Sequence, residues 1–204
     1  MKVRPIIPCH SAIQNPAAMY ISKKLKPLVK VVPAILKGTK DLAQKLSEIK
    51  IDCTDKWWIS TSDVVAFYQN IPLKHCIDII CALYEEHTGV PSMDKELKEM
   101  KHFILTLHVG NLNLITQYNN LLYHQKNGLA MGVSDSPDLA NLSGWSFERN
   151  AQIMSHPLIP YYYRWFIDDI CAIVYAPSGM EALGVLNIIK FDGMYQSLPP
   201  PSWT

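Results

Sequence analysis

The chain has 204 residues, 49% of them hydrophobic and 18% charged, the composition of an ordinary folded domain, and no apolar run approaches the roughly 18–20 residues that cross a bilayer. Its net charge of +1 conceals a division: residues 1–50 hold ten Lys or Arg against Asp41 and Glu48, a balance of +8, so the remainder carries −7. The five cysteines (Cys9, Cys53, Cys76, Cys81 and Cys171) are odd in number, scattered and without a CxxC pair, which favours free thiols in a reducing intracellular compartment over a disulfide scaffold or zinc site.

The opening residues, with Arg4, Pro5, Pro8 and His10, lack the charged-then-apolar pattern of a signal peptide. Asn15-Pro16 reads as a helix start, followed by Ile21, Leu25 and Leu28 at helical spacing, with Pro27 expected to end or kink the helix. Thr39 is a candidate cap for a second helix carrying Leu42, Leu46 and Ile49. Lys23, Lys24, Lys26, Lys30, Lys37, Lys40 and Lys45 crowd this region, as a phosphate-binding surface requires; a solvated helix face accounts equally well for any single one. Trp57 to Val64 is aromatic and β-branched, a strand pattern. Asn70-Ile71-Pro72 opens a helix with a stripe of Leu73, Cys76, Ile77, Ile80, Leu83 and Tyr84, and another runs from about Asp94 through Leu97, Met100, Ile104 and Leu107. Leu112–Tyr118 and Leu121–Gln125 read as strands joined at Asn119-Asn120, residues that tolerate left-handed turns. After the Gly128–Gly132 loop, Ser136-Pro137 begins a helix through about Met154. Tyr161–Ile167 and Ile170–Ala176 read as strands meeting at two aspartates, with a short helix from Glu181 and a strand near Phe191 to follow. Helices mixed with hairpin-connected strands predict an α+β domain.

The sharpest local feature is Phe166-Ile167-Asp168-Asp169-Ile170. Neighbouring strand residues point to opposite faces, so two aspartates inside a continuous strand would drive one carboxylate into apolar surroundings. A hairpin turn removes that cost. An isolated Asp-Asp is most often just such a surface turn, but Asp63 also ends an apolar strand, and two strands delivering carboxylates can build one hard-oxygen site. Magnesium suits it, being held by one or two carboxylates plus water and phosphate oxygens, and two such ions would activate a 3′-hydroxyl and stabilise departing pyrophosphate. His102 and His108, six residues apart, lack a third ligand for zinc. Trp57-Trp58 and Tyr161-Tyr162-Tyr163 are better explained by packing than by base stacking.

Arg4-Pro5-Ile6, Asp63-Val64 with Phe67-Tyr68-x-Asn70-Ile71-Pro72, Tyr123-x-Gln125-x2-Gly128-x2-Met131-Gly132-x3-Ser136-Pro137-x2-Ala140-Asn141, and Arg164-x2-Ile167-Asp168-Asp169 stand in the order of reverse-transcriptase motifs. Across roughly residues 2–176 the chain resembles Penelope-like retroelement reverse transcriptases. The resemblance implies a right-hand polymerase palm with partial fingers, its antiparallel sheet packed on helices, and no thumb. Residues 1–176 would form the fingers and palm core, and 177–204 a short helix, a strand and a Pro-rich tail. Asp63, Asp168 and Asp169 would be the catalytic ligands of two magnesium ions, with manganese as a substitute. Tyr68, beside Phe67, matches the aromatic gate that excludes a ribose 2′-hydroxyl. Arg4, with Lys2 as a weaker companion, matches the grip on the incoming triphosphate, a task suited to the guanidinium fork. Met131, Gly132, Ser136 and Pro137 match the loop that positions nucleotide and template.

The implied activity is RNA-directed DNA polymerisation, a nucleotidyl transfer from dNTP to a DNA primer on an RNA template, without a membrane partner and on nuclear DNA. The absent upstream fingers segment, thumb and GIY-YIG-type endonuclease make a truncated element expected, and a catalytically inactive relic that only binds nucleic acid is the alternative. Phe166 stands where many relatives have Tyr, and Met131 where many have Gln. An RNA-templated RNA polymerase shares the aspartates but is disfavoured by Tyr68; a two-metal nuclease is disfavoured by Arg4 and the Met131–Asn141 segment.

Overall fold

The computed structural model describes residues 12–52, 56–91, 93–109, 115–118, 120–124, 128–150 and 160–189. In chain order the elements are α1 (Asn15–Val31), α2 (Thr39–Ser47), β1 (Trp57–Asp63), α3 (Phe67–Asn70), α4 (Leu73–Thr88), α5 (Lys95–Ile104), a π-helical turn (Leu105–Val109), β2 (Ile115–Tyr118), β3 (Leu121–His124), α6 (Ser136–Asn150), β4 (Tyr162–Phe166), β5 (Asp169–Tyr175) and α7 (Gly179–Ile189). The architecture is α+β, with a three-stranded antiparallel sheet in the order β1-β5-β4 and a separate β2-β3 hairpin. No helix among the described residues is long and apolar enough to cross a membrane. The expected strand near Phe191 and the tail beyond it lie outside the described residues.

The chain forms two compact units, one from the segment ending at Val31 together with Ala66–Ser143, the other from Val32–Val65 and the segment starting at Gly144. In the first, helical stripes bury Ala18, Ile21, Leu25 and Leu28 of α1, Cys76, Ile77, Ile80 and Tyr84 of α4, and Leu97, Met100 and Ile104 of α5. Pro27 neither ends nor divides α1, which continues to Val31. Proline removes one backbone donor, and burial of Leu25 and Leu28 on either side of exposed Pro27 holds the helix together. The cap of α2 is Gly38 at φ 145°, not Thr39. Asp94 caps α5 by accepting from Glu96 N at 2.7 Å, and Asn120 takes the left-handed conformation expected at the β2-β3 turn, with φ 61°.

In the second unit β5 is the central strand, burying Ile170, Ala172, Ile173 and Val174. The outer edge of β4 is covered by the Ala34–Leu36 segment, which exchanges Leu36 N to Trp165 O (2.8 Å) and Trp165 N to Ala34 O (2.9 Å). On that face Tyr163 and Trp165 both donate to buried Glu148 of α6, Trp165 Nε1 lying 3.1 Å away. Burial nevertheless raises the Glu148 carboxyl to about 7 from an ordinary 4.5, the two hydrogen bonds opposing it. The folded state therefore holds this proton where the unfolded chain has released it, so the contribution of this group is most favourable below pH 4.5 and is lost as pH rises through about 7. The group is expected to withdraw about 3 kcal/mol over that window, and Glu148→Gln to flatten the profile. Urea midpoints at pH 5 and 8 test this; parallel wild-type and variant profiles would disprove it.

Candidate functional site

The hairpin that joins β4 to β5 pairs Phe166 with Asp169, leaving Ile167 and Asp168 as a two-residue turn. Asp169 is thus the first residue of β5, while Asp168 sits in the turn. Ile167 takes φ 57°, a left-handed conformation that is a true outlier for a β-branched residue and costs on the order of 1–3 kcal/mol. The turn is tied to β1, because Val64 N donates to the Asp168 carbonyl at 2.9 Å. The β1-β5 register places Asp63 directly opposite Asp169, which puts their side chains on one face of the sheet. Asp63 and Asp169 are exposed and Asp168 half-buried.

Like charges facing each other across a strand pair are destabilising. Among the described residues none of the three aspartates forms an ion pair with a basic side chain. Hard carboxylate oxygens suit magnesium, which needs only one or two carboxylates and keeps several waters. The three do not converge into a ready three-ligand cluster: among the described residues no group of three His, Cys, Asp or Glu is placed to hold a metal. Asp63 and Asp169 face each other on neighbouring strands, with Asp168 adjoining them in the turn.

Phe67, Tyr68 and the Gly128–Pro137 loop belong to the first unit. Phe67 is buried and meets Tyr68 edge to face, ring centres 6.0 Å apart, while Tyr68 is half-exposed. Phe67 therefore braces the Tyr68 ring rather than presenting its own. Leu129 N donates to the Tyr68 carbonyl at 2.7 Å. Gly128, at φ +78°, packs so closely that a Cβ would lie 2.5 Å from Gln69 O and 2.6 Å from Tyr68 O. Its smallness lets the loop approach the chain's own backbone. Gly128→Ala is expected to cost about 3 kcal/mol or more, combining backbone clash with a left-handed alanine; a thermal midpoint within a degree of wild type would refute the contact. Gly132 is exposed at φ 108°, Met131 half-buried and Pro137 exposed, but Ser136 is fully buried. Ser136 thus anchors the loop and does not face outward. Arg4 and Lys2 lie outside the described residues.

One pair in this unit was not anticipated. His108, in the π-helical turn, directs Nε2 to both oxygens of Asp135 at 3.1 and 3.0 Å, and both side chains are fully buried. The Asp135 carbonyl accepts the first helical bond of α6 from Leu139 N at 3.0 Å, so its carboxylate lies at a helix N-terminus, where negative charge is favoured. The Nδ1 of His108 has no hydrogen-bond partner among the described residues. Asp135 immediately precedes Ser136, where α6 begins.

The chain is similar in structure to telomerase from Candida albicans in complex with a TWJ fragment of telomeric RNA, with a TM-score of 0.55 and 15% identity over 89% of this chain and 32% of that one. Its fold is similar to that of telomerase. Apo telomerase from Candida tropicalis truncated from its C-terminal domain gives 0.54 and 14% over 89% of this chain and 36% of that one. Telomerase from Candida tropicalis in complex with the TWJ fragment gives 0.56 and 13% over 86% and 31%. The chain spans about a third of the length of these structures. No protein-family model matches it, and neither does any curated protein. At such identities the likeness is one of fold.

Proposed function

We propose that this chain is the polymerising core of an RNA-directed DNA polymerase of the Penelope-like retroelement kind, with the β1-β5-β4 sheet as palm. The observation that carries the proposal is the opposed Asp63–Asp169 pair on neighbouring strands, without an ion-pair partner among the described residues, beside Asp168 in a strained turn tied to β1. Asp63, Asp168 and Asp169 would hold the magnesium ions, which supply charge stabilisation at the attacking 3′-hydroxyl and the leaving pyrophosphate. The protein's own contribution is to fix these carboxylates on hydrogen-bonded strands, so little reorganisation accompanies the reaction. Arg4, with Lys2, grips the triphosphate. Met131, Gly132 and Pro137 receive nucleotide and template on the loop that buried Ser136 anchors. RNA template, DNA primer and dNTP are the partners this reading requires.

Tyr68, braced by Phe67, discriminates against the 2′-hydroxyl. Extension of an RNA-templated primer in magnesium tests the proposal, and Tyr68→Ala is expected to raise ribonucleotide use relative to deoxynucleotides by about 10–100-fold, the order expected where removing bulk relieves a steric exclusion. Unchanged sugar selectivity in an active variant removes the gate role. The second reading, a chain that binds nucleic acid without extending primers, draws on the absence of a ready three-ligand cluster among the described residues; retained template binding with no incorporation would favour it.

A further inference from the structure

Helix α1 contains four lysines and no acidic residue. Its apolar face is already occupied, with Ala18, Ile21, Leu25 and Leu28 at most 3% exposed. Lys24 is satisfied by Glu96 of α5. Lys23, Lys26 and Lys30 remain, all exposed, and their i, i+3, i+7 spacing sets them on one stripe of the helix surface. Among the described residues none of the three forms an ion pair. Lys26 acts only at longer range on Asp138, whose carboxyl burial raises against the opposing Ser22 hydrogen bond and the Lys26 charge.

Elsewhere several helical lysines are paired, although Lys40 of α2, Lys74 of α4 and Lys98 of α5 each stand singly without an ion pair among the described residues. In α2, Lys45 meets Asp41 at 2.8 Å, and in α5, Lys95 meets Glu99 at 3.7 Å, both four residues apart, while Lys101 reaches Asp78 at 3.0 Å. Those are the pairings of a solvated face. On α1 the neighbours at three and four residues are like charges, Lys23 with Lys26 and Lys26 with Lys30, an arrangement that weakens a helix in isolation. It becomes favourable only when an external anion covers the stripe.

We infer that Lys23, Lys26 and Lys30 form a docking stripe for the phosphodiester backbone of a nucleic acid, most simply the template–primer duplex of the proposed polymerase. The stripe covers about 10 Å of helix axis at 1.5 Å per residue, a length along which a duplex presents roughly six phosphates. Three lysines therefore find partners without any special register, and the contact reads no sequence. An anionic membrane is a poorer partner. A helix lying in a lipid interface must insert its apolar face, and that face of α1 is buried in its own unit.

The inference rests on the polymerase reading for the identity of the duplex, but its test needs no catalysis. Binding of the full chain to an RNA–DNA hybrid is measured by fluorescence anisotropy across potassium chloride concentrations. It is compared with Lys23→Gln/Lys26→Gln/Lys30→Gln and with a control, Lys95→Gln/Lys98→Gln/Lys101→Gln, that loses the same charge from α5. The stripe variant is expected to reduce the slope of log K against log salt by about 2–3, at about 0.7–0.9 per phosphate contact, with a thermal midpoint no lower than wild type because like-charge neighbours have been removed. At 0.1 M salt its affinity should fall roughly 100-fold, while the control changes the slope by less than about 1. Wild-type binding with an undiminished slope in the stripe variant overturns the stripe and leaves the polymerase reading standing; equal losses in both triple variants do the same. A wild-type chain that binds no hybrid overturns both. Stripe-dependent binding to phosphatidylserine vesicles, without a stripe contribution to hybrid binding, would assign the surface to lipid instead.

Discussion

Asp169→Asn is expected to abolish nucleotide incorporation while making the protein slightly more stable in divalent-free buffer. The two effects share one cause. Asp63 and Asp169 face each other across β1 and β5, and among the described residues no basic side chain pairs with either. Neutralising one relieves like-charge repulsion, which for a chain of this length corresponds to a rise in Tm on the order of 1–2 °C. Magnesium or manganese should then raise the wild-type midpoint by binding the folded state but leave the variant unmoved. Incorporation should fall by more than about 100-fold, since disturbing even the hydrogen-bonded surroundings of a metal ligand costs 10–100-fold. Asp63→Asn should behave alike, as the two carboxylates are one site. A variant destabilised in EDTA, or still gaining stability from magnesium, would show that the pair is only a surface feature of the hairpin.

The second large effect concerns stability alone. His108→Ala leaves the fully buried Asp135 carboxylate without the imidazole that meets both its oxygens. Removing one partner of a buried pair costs about 3–5 kcal/mol, so Tm should fall by roughly 10 °C. The pair itself need not be a net stabiliser, because desolvating it is expensive. The double variant His108→Leu/Asp135→Leu should therefore lose less than the two single changes added together, with a coupling of about 1–3 kcal/mol. Strict additivity in denaturant melts would mean that the two side chains do not depend on each other.

How far the sequence could be read depended on the range of each interaction. The α4 stripe was legible because Cys76, Ile77, Ile80 and Tyr84 obey a local period, and all four are buried. The turn at Ile167-Asp168 was legible because two adjacent aspartates amid apolar residues have few other places to go. The exact opposition of Asp63 and Asp169 was not, since register is set by pairing across more than a hundred residues. Glu148 resembled any acid on a solvated helix; its partners Tyr163 and Trp165 lie fifteen and seventeen residues on. His108 and Asp135, twenty-seven apart, each looked ordinary, and the π-helical turn that carries His108 has no composition of its own. Pro27 misled as a helix end, because that expectation weighed a lost hydrogen bond without the packing on either side. The close approach of Gly128 to the backbone of Tyr68 and Gln69 was not legible, because those residues lie some sixty positions earlier in the chain.

The central claim is that the Asp63–Asp168–Asp169 edge performs template-directed nucleotidyl transfer. Its most direct test is primer extension on an RNA template with magnesium and dNTPs, comparing the intact chain with Asp168→Ala at equal template occupancy. Extension by the intact chain that vanishes in Asp168→Ala is the predicted result. Extension that survives the substitution, or an intact chain that holds template and primer yet adds no nucleotide, would contradict it.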